Sequence, residues 1–498
     1  MVAAMCAGGA LRSFGSMRKP VVTLLLVMSA GILAACPSGG SDKAGGSNAP
    51  VVLHLAMSDG LGGVPMESPK FFAQEVGRLS HGSMRVDVKL LAAGSARPDT
   101  EQQVAKMVQR GDYELGAIGA RGWDVLGVKS FQALQAPFLL TDQSSLYAVF
   151  ESDLPARMLE ELRSQHVVGF GLLPGALRHP VGHRAPLTRL ADFRGTKIRV
   201  SPSRVSEAVM RALGAVPVHS SGDSIGALIT RHQIDAEELP FALAPGRAWV
   251  TANVTFFAKA VTLFANEAAF GRLTDEQRDV LRRAAASAAR HIMQTQLPEA
   301  EQAVKYCNAG RVVSATDADV AAMERATRAV YQRMRRDPEI GPILTAIEDI
   351  KADTAPDAPP VVPDECSRPL ELVHGTERDP AFLDGTYRWR VTRAGAIKRG
   401  AGPDSDDIGA IATITLRDGR WHLGPSSGPE ADTGTFKVIE HYLVFDWPRV
   451  ASVLAFRFER LRDGTLLLDP VLPMDQGDQV VWSAEPWTRV GPPVREIP

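Results

Sequence analysis

Residues 191–240 read ADFRGTKIRVSPSRVSEAVMRALGAVPVHSSGDSIGALITRHQIDAEELP, and their periodicity indicates the fold class. It alternates short β-rich runs with runs in which apolar residues recur every three or four positions, which predicts strands that alternate with helices. The predicted elements are strand Lys197–Val200, helix Ser203–Leu213, strand Val216–Val218 and helix Ser224–Arg231. Such alternation is typical of α/β domains.

The same alternation extends on both sides, from Val51 to about Ile350. Toward the N-terminus it predicts strand Val51–Ser58, helix Ser68–Leu79, strand Met84–Leu90, helix Thr100–Gln109 and strand Tyr113–Ile118. A second set begins with an apolar run over Val167–Leu173, so two α/β lobes are expected. Helices over Thr274–Tyr306 and Asp317–Arg336 close the region, and Thr274-Asp275-Glu276-Gln277 has the pattern of a capping box.

Five segments, in this order, resemble the solute-binding subunits of tripartite ATP-independent periplasmic (TRAP) transporters. They are FFAQEVGRLSHG at 71–82, VAKMVQRGDY at 104–113, ADFRGTKIRV at 191–200, ALGAVPV at 212–218 and IGALITRHQIDAEELP at 225–240. The resemblance implies a two-lobed α/β fold of the type II periplasmic-binding-protein class over residues 51–350, in which hinge strands let the lobes close over a ligand. It also implies the function, which is capture of a small organic acid for membrane permease subunits.

The resemblance assigns ligand-binding roles to two arginines. Arg199, in KIRV at the end of a predicted strand, stands where the family has its carboxylate-binding arginine, and a guanidinium offers paired donors to two carboxylate oxygens. Arg178, in ALRHP, resembles the family's second arginine. Without the resemblance, each would be interpreted as a solvated surface arginine. Glu237 and Trp123 complete the predicted set, with Trp123 either a stacking face for the ligand or a core side chain.

One departure from the family pattern bears on the ligand. The family commonly has Gly-Gln-Glu-Asn-Pro where this chain has Ala236-Glu237-Glu238-Leu239-Pro240, so Leu239 replaces an amide donor. The change favours a ligand with an apolar part, such as a keto or aromatic acid, over a simple dicarboxylate or sugar acid.

The N-terminal region predicts export and a lipid anchor. A short basic stretch, Met17–Pro20, precedes an apolar run over Val21–Leu33 that is too short to span a bilayer and has the length of a signal-peptide core. The run ends in Leu33-Ala34-Ala35-Cys36, which resembles a bacterial lipobox, so residues 1–36 are predicted to be a lipoprotein signal peptide with lipidation at Cys36. An ordinary cleaved signal is the alternative, and Met17 is an alternative start. Residues 37–50, low in apolar content, would tether the protein to the membrane.

Two further cysteines, Cys307 and Cys366, remain after lipidation of Cys36 and cleavage of the signal. Thiols outside the cytoplasm tend to pair, so a disulfide between them is predicted, which would clip the end of the first domain to the start of the next. Two buried free thiols are the alternative.

The sequence pattern changes after a linker at residues 351–366, which is rich in Pro, Ala and Asp. Residues 367–498 predict an all-β, lipocalin-like antiparallel barrel of about eight short strands. The strands are expected at Gly385–Thr392, Ala410–Leu416, Trp421–Leu423, Gly434–Ile439, Tyr442–Asp446, Ala455–Arg460, Thr465–Asp469 and Val480–Ser483. The segment Gly385–Trp389 resembles the first-strand signature of lipocalin-like barrels. Ten aromatic residues of this region are expected to fill the barrel, which leaves open a role in binding an apolar ligand, a partner or the first domain. They are Tyr387, Trp389, Trp421, Phe436, Phe445, Trp447, Phe456, Phe458, Trp482 and Trp487.

Other function classes find little support. The formal net charge of -2, without a basic run, argues against nucleic acid as a partner. Three weak motif matches are excluded. The match to G-x-S-x-G at Gly424-Pro425-Ser426-Ser427-Gly428 is a chance match in a polar loop. His179 and His183 cannot chelate a metal from a helix, because Pro180 lies between them, and Asp404–Asp407 lacks the glutamate of a calcium loop. No enzyme activity, metal or cofactor is therefore expected. The rival hypotheses are a sensor lipoprotein that presents its ligand to a receptor kinase, and a secreted hydrolase.

Overall fold

A computed structural model gives the fold of the chain over most of its length. It describes residues 50–58, 68–220, 224–245, 248–307, 310–360, 362, 366, 373, 375–401, 407–424, 432–447, 452–471 and 476–492. Among these residues, no helix combines the length and the apolar character needed to cross a membrane. The predicted signal peptide, Cys36 and the tether lie outside the described residues, as do parts of the G-x-S-x-G match and of Asp404–Asp407.

The first part of the chain alternates strands and helices, as predicted. Its described strands are β1 (Val51–Met57), β2 (Met84–Lys89), β3 (Leu115–Gly119), β4 (Val167–Gly182), β5 (Lys197–Arg199), β6 (Val216–Val218), β7 (Ala236–Leu239), β8 (Trp249–Thr251), β9 (Phe257–Asn266) and β10 (Arg311–Val313). Its described helices are α1 (Ser68–Leu79), α2 (Thr100–Arg110), α3 (Gln143–Glu151), α4 (Leu154–Glu160), α5 (Leu190–Phe193), α6 (Arg204–Ala212), α7 (Ile225–Thr230), α8 (Glu267–Gly271), α9 (Asp275–Thr295), α10 (Glu299–Cys307), α11 (Asp317–Arg336) and α12 (Gly341–Ala352). Short 3-10 turns follow β3, at Ala120–Leu126 and Ser130–Gln135.

One long strand, β4, joins the lobes. The described strands run in the order β2-β1-β3-β9-β4-β7-β5-β6, with β8 and β10 attached beyond β4. The first part of β4 pairs with β9 in lobe 1, which is built on β1, β2 and β3, whereas its last residues pair with β7 and β8 in lobe 2. The fold is thus the predicted two-lobed one, and β4 passes through both lobes.

The burial of β4 and β9 explains why the sequence pattern predicted β4 too short and missed β9. Fifteen of the sixteen residues of β4 are buried and one is partly buried, so the polar and apolar alternation that marks a half-exposed strand is absent. β9 was not predicted, and it is buried except for its last residue. By contrast, the capping box at the start of α9 forms as expected, with Thr274 Oγ1 accepting from Gln277 N at 3.2 Å and Gln277 Oε1 accepting from Thr274 N at 3.0 Å.

The C-terminal part forms the predicted antiparallel β-barrel. Its described strands are β11 (Glu377–Arg378), β12 (Gly385–Arg390), β13 (Ile411–Arg417), β14 (Arg420–Leu423), β15 (Asp432–Ile439), β16 (Tyr442–Trp447), β17 (Ser452–Arg460), β18 (Leu466–Pro470) and β19 (Thr488–Gly491), with helices α13 (Arg393–Lys398) and α14 (Gln476–Ser483). The sheet runs from β18 through β12 to β19, and two backbone hydrogen bonds between Leu466 and Trp487 bring its ends together. Its likeness to lipocalins rests on the sequence motif alone.

One predicted barrel strand is wrong. Val480–Ser483 belongs to α14, because a short apolar run has no period that separates a strand from a buried helix. The helix places Trp482 in the interior, where its ring centroid lies 5.2 Å from that of Phe445 and 5.5 Å from that of Trp447. Trp389 and Trp487 stack beside it at 4.3 Å. Aromatic side chains therefore fill the barrel interior.

Cys307 and Cys366 are joined in a disulfide, with their Cα atoms 5.2 Å apart. Cys366 is buried in a small cluster with Val181, Val250 and Tyr306 of lobe 2. The bond therefore fastens the end of the linker to the base of lobe 2, at the last residue of α10.

Removal of this bond is expected to weaken lobe 2. A cross-link between residues 59 apart reduces the entropy of the unfolded chain by an amount equivalent to about 4 kcal/mol. We expect the double substitution Cys307→Ser and Cys366→Ser to lower the free energy of unfolding of the solute-binding region by up to this amount, measured by urea denaturation with circular dichroism. Wild-type protein treated with reductant should match the variant, and the variant should not respond to reductant. Equal stability of all four samples would contradict the bond.

Candidate functional site

The charged side chains of the fold gather at the carboxyl ends of its strands. Arg199 is the last residue of β5, Glu237 and Glu238 lie in the parallel neighbour β7, and Arg121 lies two residues after the end of β3. In open α/β sheets, ligands bind outside the carboxyl ends of the strands, because loops and strand ends leave a crevice there. Residues from both lobes meet at this edge.

One face of β7 holds the partly exposed arginine. Arg199 Nη1 donates to Glu237 Oε1 at 3.0 Å, and Arg199 Nε donates to Ser220 Oγ at 3.2 Å. His183 Nε2 lies 3.3 Å from the second oxygen of Glu237. The side chain of Arg199 is 24% exposed, whereas that of Glu237 is 3% exposed. Among the described residues, Nη2 of Arg199 has no hydrogen-bond acceptor, so this end of the guanidinium can receive a ligand.

The opposite face of β7 holds a second charge group, since consecutive strand residues project to opposite faces. Glu238 Oε1 accepts from Arg121 Nη1 at 2.9 Å, and Glu238 Oε2 lies 3.6 Å from Arg178 Nε. Arg178 Nη1 also donates to the backbone carbonyl of Glu238 at 3.3 Å. Arg121 Nε in turn lies 3.5 Å from Glu101 Oε1, on α2. Arg121 therefore links a carboxylate of lobe 1 to a carboxylate of lobe 2.

Glycine is required where α2 approaches this group. A Cβ atom on Gly119 would lie 2.2 Å from Glu101 Oε1, and one on Gly122 would lie 2.8 Å from Glu101 Cβ. The same Gly119 position is 3.5 Å from Lys259 Cε, so the buried Lys259 of β9 belongs to the same neighbourhood. The absence of side chains at these two positions lets Glu101 reach the edge of the sheet.

A second polar contact fastens the segment after β3 to α6. Asp124 Oδ2 accepts from Ser203 Oγ at 2.9 Å and from the backbone N–H of Val205 at 3.0 Å. A carboxylate there satisfies an N–H group in the first turn of α6 and complements the positive end of the helix. Together with Arg121, this contact holds the two lobes against each other in the present conformation.

The environment of Glu237 favours its ionised form. Burial by itself would raise the pKa of the Glu237 carboxyl, but the neighbouring His183 and the positive charge of Arg199 outweigh it and hold that pKa below its ordinary value of 4.5. Glu237 is therefore a permanent negative charge beside Arg199 at neutral pH.

The predicted ligand-binding residues are not all in one place. Arg199 and Glu237 meet as a pair at the sheet edge. Arg178 is buried on the other face of β7, so the contacts do not gather Arg178 and Arg199 into a single clamp. Trp123 is fully buried, donates from Nε1 to Thr262 Oγ1 at 2.8 Å and packs edge-on against Phe264. Its ring has no open face in this structure, so the geometry favours the core role over the stacking role.

Several residues of the site escaped the sequence analysis. The interlobe group consists of Glu101, Arg121 and Glu238. His183 lies beside Glu237, whereas His179 lies 2.8 Å from Glu299 and is not part of the site. The sequence signal that could have identified Arg121 as a site residue was its position two residues after the buried strand β3. The pairing of Arg121 with Glu238 joins residues 117 positions apart, which no local pattern reveals. Among the described residues, no group of three or more His, Cys, Asp or Glu side chains is arranged to hold a metal ion.

Comparison with known families gives a match over more than half of the chain. The model of the family described as "Bacterial extracellular solute-binding protein, family 7" matches residues 65–337. The C4-dicarboxylate-binding periplasmic protein DctP of Rhodobacter capsulatus is 27% identical over 155 residues, which is 31% of this chain and 46% of the relative. The sialic acid-binding periplasmic protein SiaP of Vibrio cholerae is 22% identical over 310 residues, or 60% of this chain and 93% of the relative. The chain thus spans about half of the first relative and nearly all of the second.

Solved structures share the two-lobed fold. A TRAP periplasmic solute-binding protein of Ralstonia eutropha with bound 2-acetolactate superposes with a TM-score of 0.54 at 16% identity and covers 61% of this chain and 99% of its own. One from Sulfurospirillum deleyianum with bound succinate has a TM-score of 0.52 at 17% identity, with coverages of 61% and 99%. At such identities the likeness concerns the fold alone.

The buried charge of Glu237 makes a prediction about pH. A carboxyl whose folded-state pKa is lowered stabilises the fold fully above its unfolded pKa and loses this effect as pH falls through the folded pKa. We expect Glu237→Gln to lower the free energy of unfolding by about 2 kcal/mol at neutral pH, since a charge-assisted hydrogen bond is lost. The difference from wild type should shrink as pH falls below 4.5, measured by denaturation at a series of pH values.

The matched control for this prediction is Asp87→Asn. Asp87 forms an exposed pair with Arg85 at 2.9 Å, so the same change of charge should alter stability by less than about 0.5 kcal/mol. A Glu237→Gln difference that does not vary with pH would show that the carboxylate is not the stabilising group.

Proposed function

The chain belongs to family 7 of the bacterial extracellular solute-binding proteins, and from this premise we propose that it captures a small organic acid for a TRAP-type transporter. This family comprises binding proteins rather than enzymes. Its solute would be a carboxylate held in the crevice between the lobes. The membrane permease subunits would be the partners that receive the solute.

Arg199 is the single observation that carries the proposal. It is a permanently charged guanidinium at the carboxyl end of a strand, partly exposed, with its Nη2 group lacking an acceptor among the described residues. A carboxylate is the ligand whose charge and planar oxygens match such a group. The relatives' names and bound molecules point to the same chemistry, because dicarboxylates, sialic acid, 2-acetolactate and succinate all carry a carboxylate.

The interlobe group supplies a way to couple binding to closure. Arg121 contacts Glu101 of lobe 1 and Glu238 of lobe 2, so these contacts exist only when the lobes are together. A ligand that touches Arg199 and a group of lobe 1 would favour the same arrangement, since it gains more contacts there than in an open form. The closed form would then be the one that the permease recognises.

The N-terminal region completes the proposal. Leu33-Ala34-Ala35-Cys36 would direct lipidation of Cys36, so the protein would act at the outer face of the cell membrane on the tether of residues 37–50. The barrel interior is filled by aromatic side chains, which favours a packing or partner role over an apolar ligand inside it.

Loss of the Arg199 charge should abolish capture. We expect the acid that copurifies with the wild-type protein, identified by mass spectrometry after denaturation, to bind Arg199→Ala at least about 30-fold more weakly, because a charged hydrogen bond in a partly buried site is lost. Arg199→Lys should fall between the two, since it keeps the charge without the paired donors. Isothermal titration calorimetry gives the affinities, with Arg85→Ala as a surface control. Unchanged affinity in Arg199→Ala would exclude the proposed anchor.

The lipid anchor is tested in cells. Replacement of Cys36 by Ser removes the only thiol available for lipidation in the lipobox, so we expect the variant to lose incorporation of a labelled fatty acid and to shift from the membrane to the soluble fraction. Wild-type protein should retain the label. A wild-type protein that is recovered without lipid would contradict this part of the proposal.

A further inference from the structure

Arg199, the proposed ligand-binding arginine, lies beside a carboxylate of the protein itself, that of Glu237. Glu237 Oε1 accepts from Nη1 of Arg199, and its side chain is 3% exposed, so Glu237 cannot turn away into water. Ser220 occupies Nε of the same guanidinium. Arg199 therefore approaches an incoming acid through Nη2, with a buried negative charge beside the binding direction.

Buried charges surround this point. Arg121 and Arg178 carry positive charge and Glu101 and Glu238 negative charge, and all four side chains are largely buried, so water screens them poorly. The buried negative charge of Glu237 lies directly beside Arg199, so it would repel a second carboxylate of a ligand bound there.

The remaining arginines do not provide a second carboxylate site. Arg121 and Arg178 both contact Glu238, and their side chains are 11% and 3% exposed. They lie on the face of β7 opposite to Arg199, because Glu237 and Glu238 are consecutive residues. A second carboxylate of a short acid bound at Arg199 would instead meet the side of the strand that carries Glu237.

The next residue on the Arg199 face is apolar. Leu239 follows Glu237 by two positions in β7, so both side chains project from the same face. Leu239 is partly buried and packs against the cluster that contains Phe241 and Val250. The part of Leu239 that is not buried adds hydrocarbon surface on the Arg199 face of β7, which is favourable for an alkyl or aryl group and unfavourable for a charged one.

From these contacts we propose that the site selects a monocarboxylate with an apolar substituent, and that Glu237 is the residue that excludes dicarboxylates. The inference rests on the proposed function, since it names the class of acid that the same site takes. Arg199 holds the single carboxylate, Glu237 repels a second one, and Leu239 contacts the apolar part.

The test compares acids that differ only in the second carboxylate. The full-length protein, freed of copurifying ligand by unfolding and refolding, is titrated at pH 7.5, where both carboxyls of a simple dicarboxylic acid are ionised. The probes are butyrate against succinate, hexanoate against adipate, and 2-oxovalerate against 2-oxoglutarate. We expect wild type to bind the best monocarboxylate at least about tenfold more tightly than any dicarboxylate, because unfavourable charge contacts disfavour the wrong ligand strongly.

Variants assign the selectivity to Glu237. The Glu237→Gln variant should reduce the preference for monocarboxylates at least about tenfold, mainly by a gain in dicarboxylate binding. The conservative variant Glu237→Asp keeps the charge and should keep the preference. Asp279→Asn, which changes the same charge in an exposed pair with Arg283, should bind all probes as wild type does. If Glu237→Gln does not fold, the wild-type preference and the Glu237→Asp result still test the proposal.

Each outcome is decisive. A wild-type protein that binds dicarboxylates as well as or better than monocarboxylates would overturn this inference while the proposed function survives. Failure of every acid to bind would overturn the proposed function and this inference with it. A monocarboxylate preference that persists unchanged in Glu237→Gln would remove Glu237 as the selecting residue, and a preference lost in that variant alone supports the proposal.

Discussion

The arrangement of the site depends on two consecutive glutamates in β7. Glu237 holds Arg199 on one face of the strand and Glu238 holds Arg178 and Arg121 on the other, at distances between 2.9 and 3.6 Å. An arginine taken out of water without a partner is costly, so each buried or half-buried guanidinium needs its carboxylate. The pairing also matters for function, because the two glutamates neutralise most of the positive charge of the three arginines. Within the described part of the chain, Nη2 of Arg199 is left without an acceptor and is open to a ligand.

This constraint is met by strands that belong to both halves of the molecule. β4 begins beside β9 in lobe 1 and ends beside β7 in lobe 2, so the position of Arg178 near the end of β4 is fixed relative to both lobes. Arg121 and Asp124, on the segment after β3, then reach β7 and α6 across the crevice. Movement of the lobes must break these polar contacts, which makes them natural determinants of the open and closed populations. The barrel has a separate aromatic core, and the disulfide at Cys366 fastens the linker before it to lobe 2.

Much of the fold could be predicted from the sequence, because its elements follow local periodicity. The elements around Lys197–Arg199, α6 and β6 were predicted within a few residues, and the position of Arg199 followed from the KIRV motif. The failures have a common cause. β4 and β9 are buried almost throughout, so they lack the alternation that identifies a strand. Val480–Ser483 of α14 is a short apolar run without a period that separates a strand from a helix. The site partners Glu101, Arg121 and Glu238 come from distant parts of the chain, and only the folded structure shows that Arg178 and Arg199 lie on opposite faces of β7.

In the proposed complex, one guanidinium end, Nη2 of Arg199, receives the carboxylate of the ligand. A crystal structure of the protein with the acid that copurifies would show whether this contact forms. We expect a ligand carboxylate oxygen at hydrogen-bond distance from Arg199 Nη2, about 2.7–3.2 Å, with the Arg199 and Glu237 pair intact. A ligand bound elsewhere, with Arg199 contacting only Glu237 and Ser220, would contradict it.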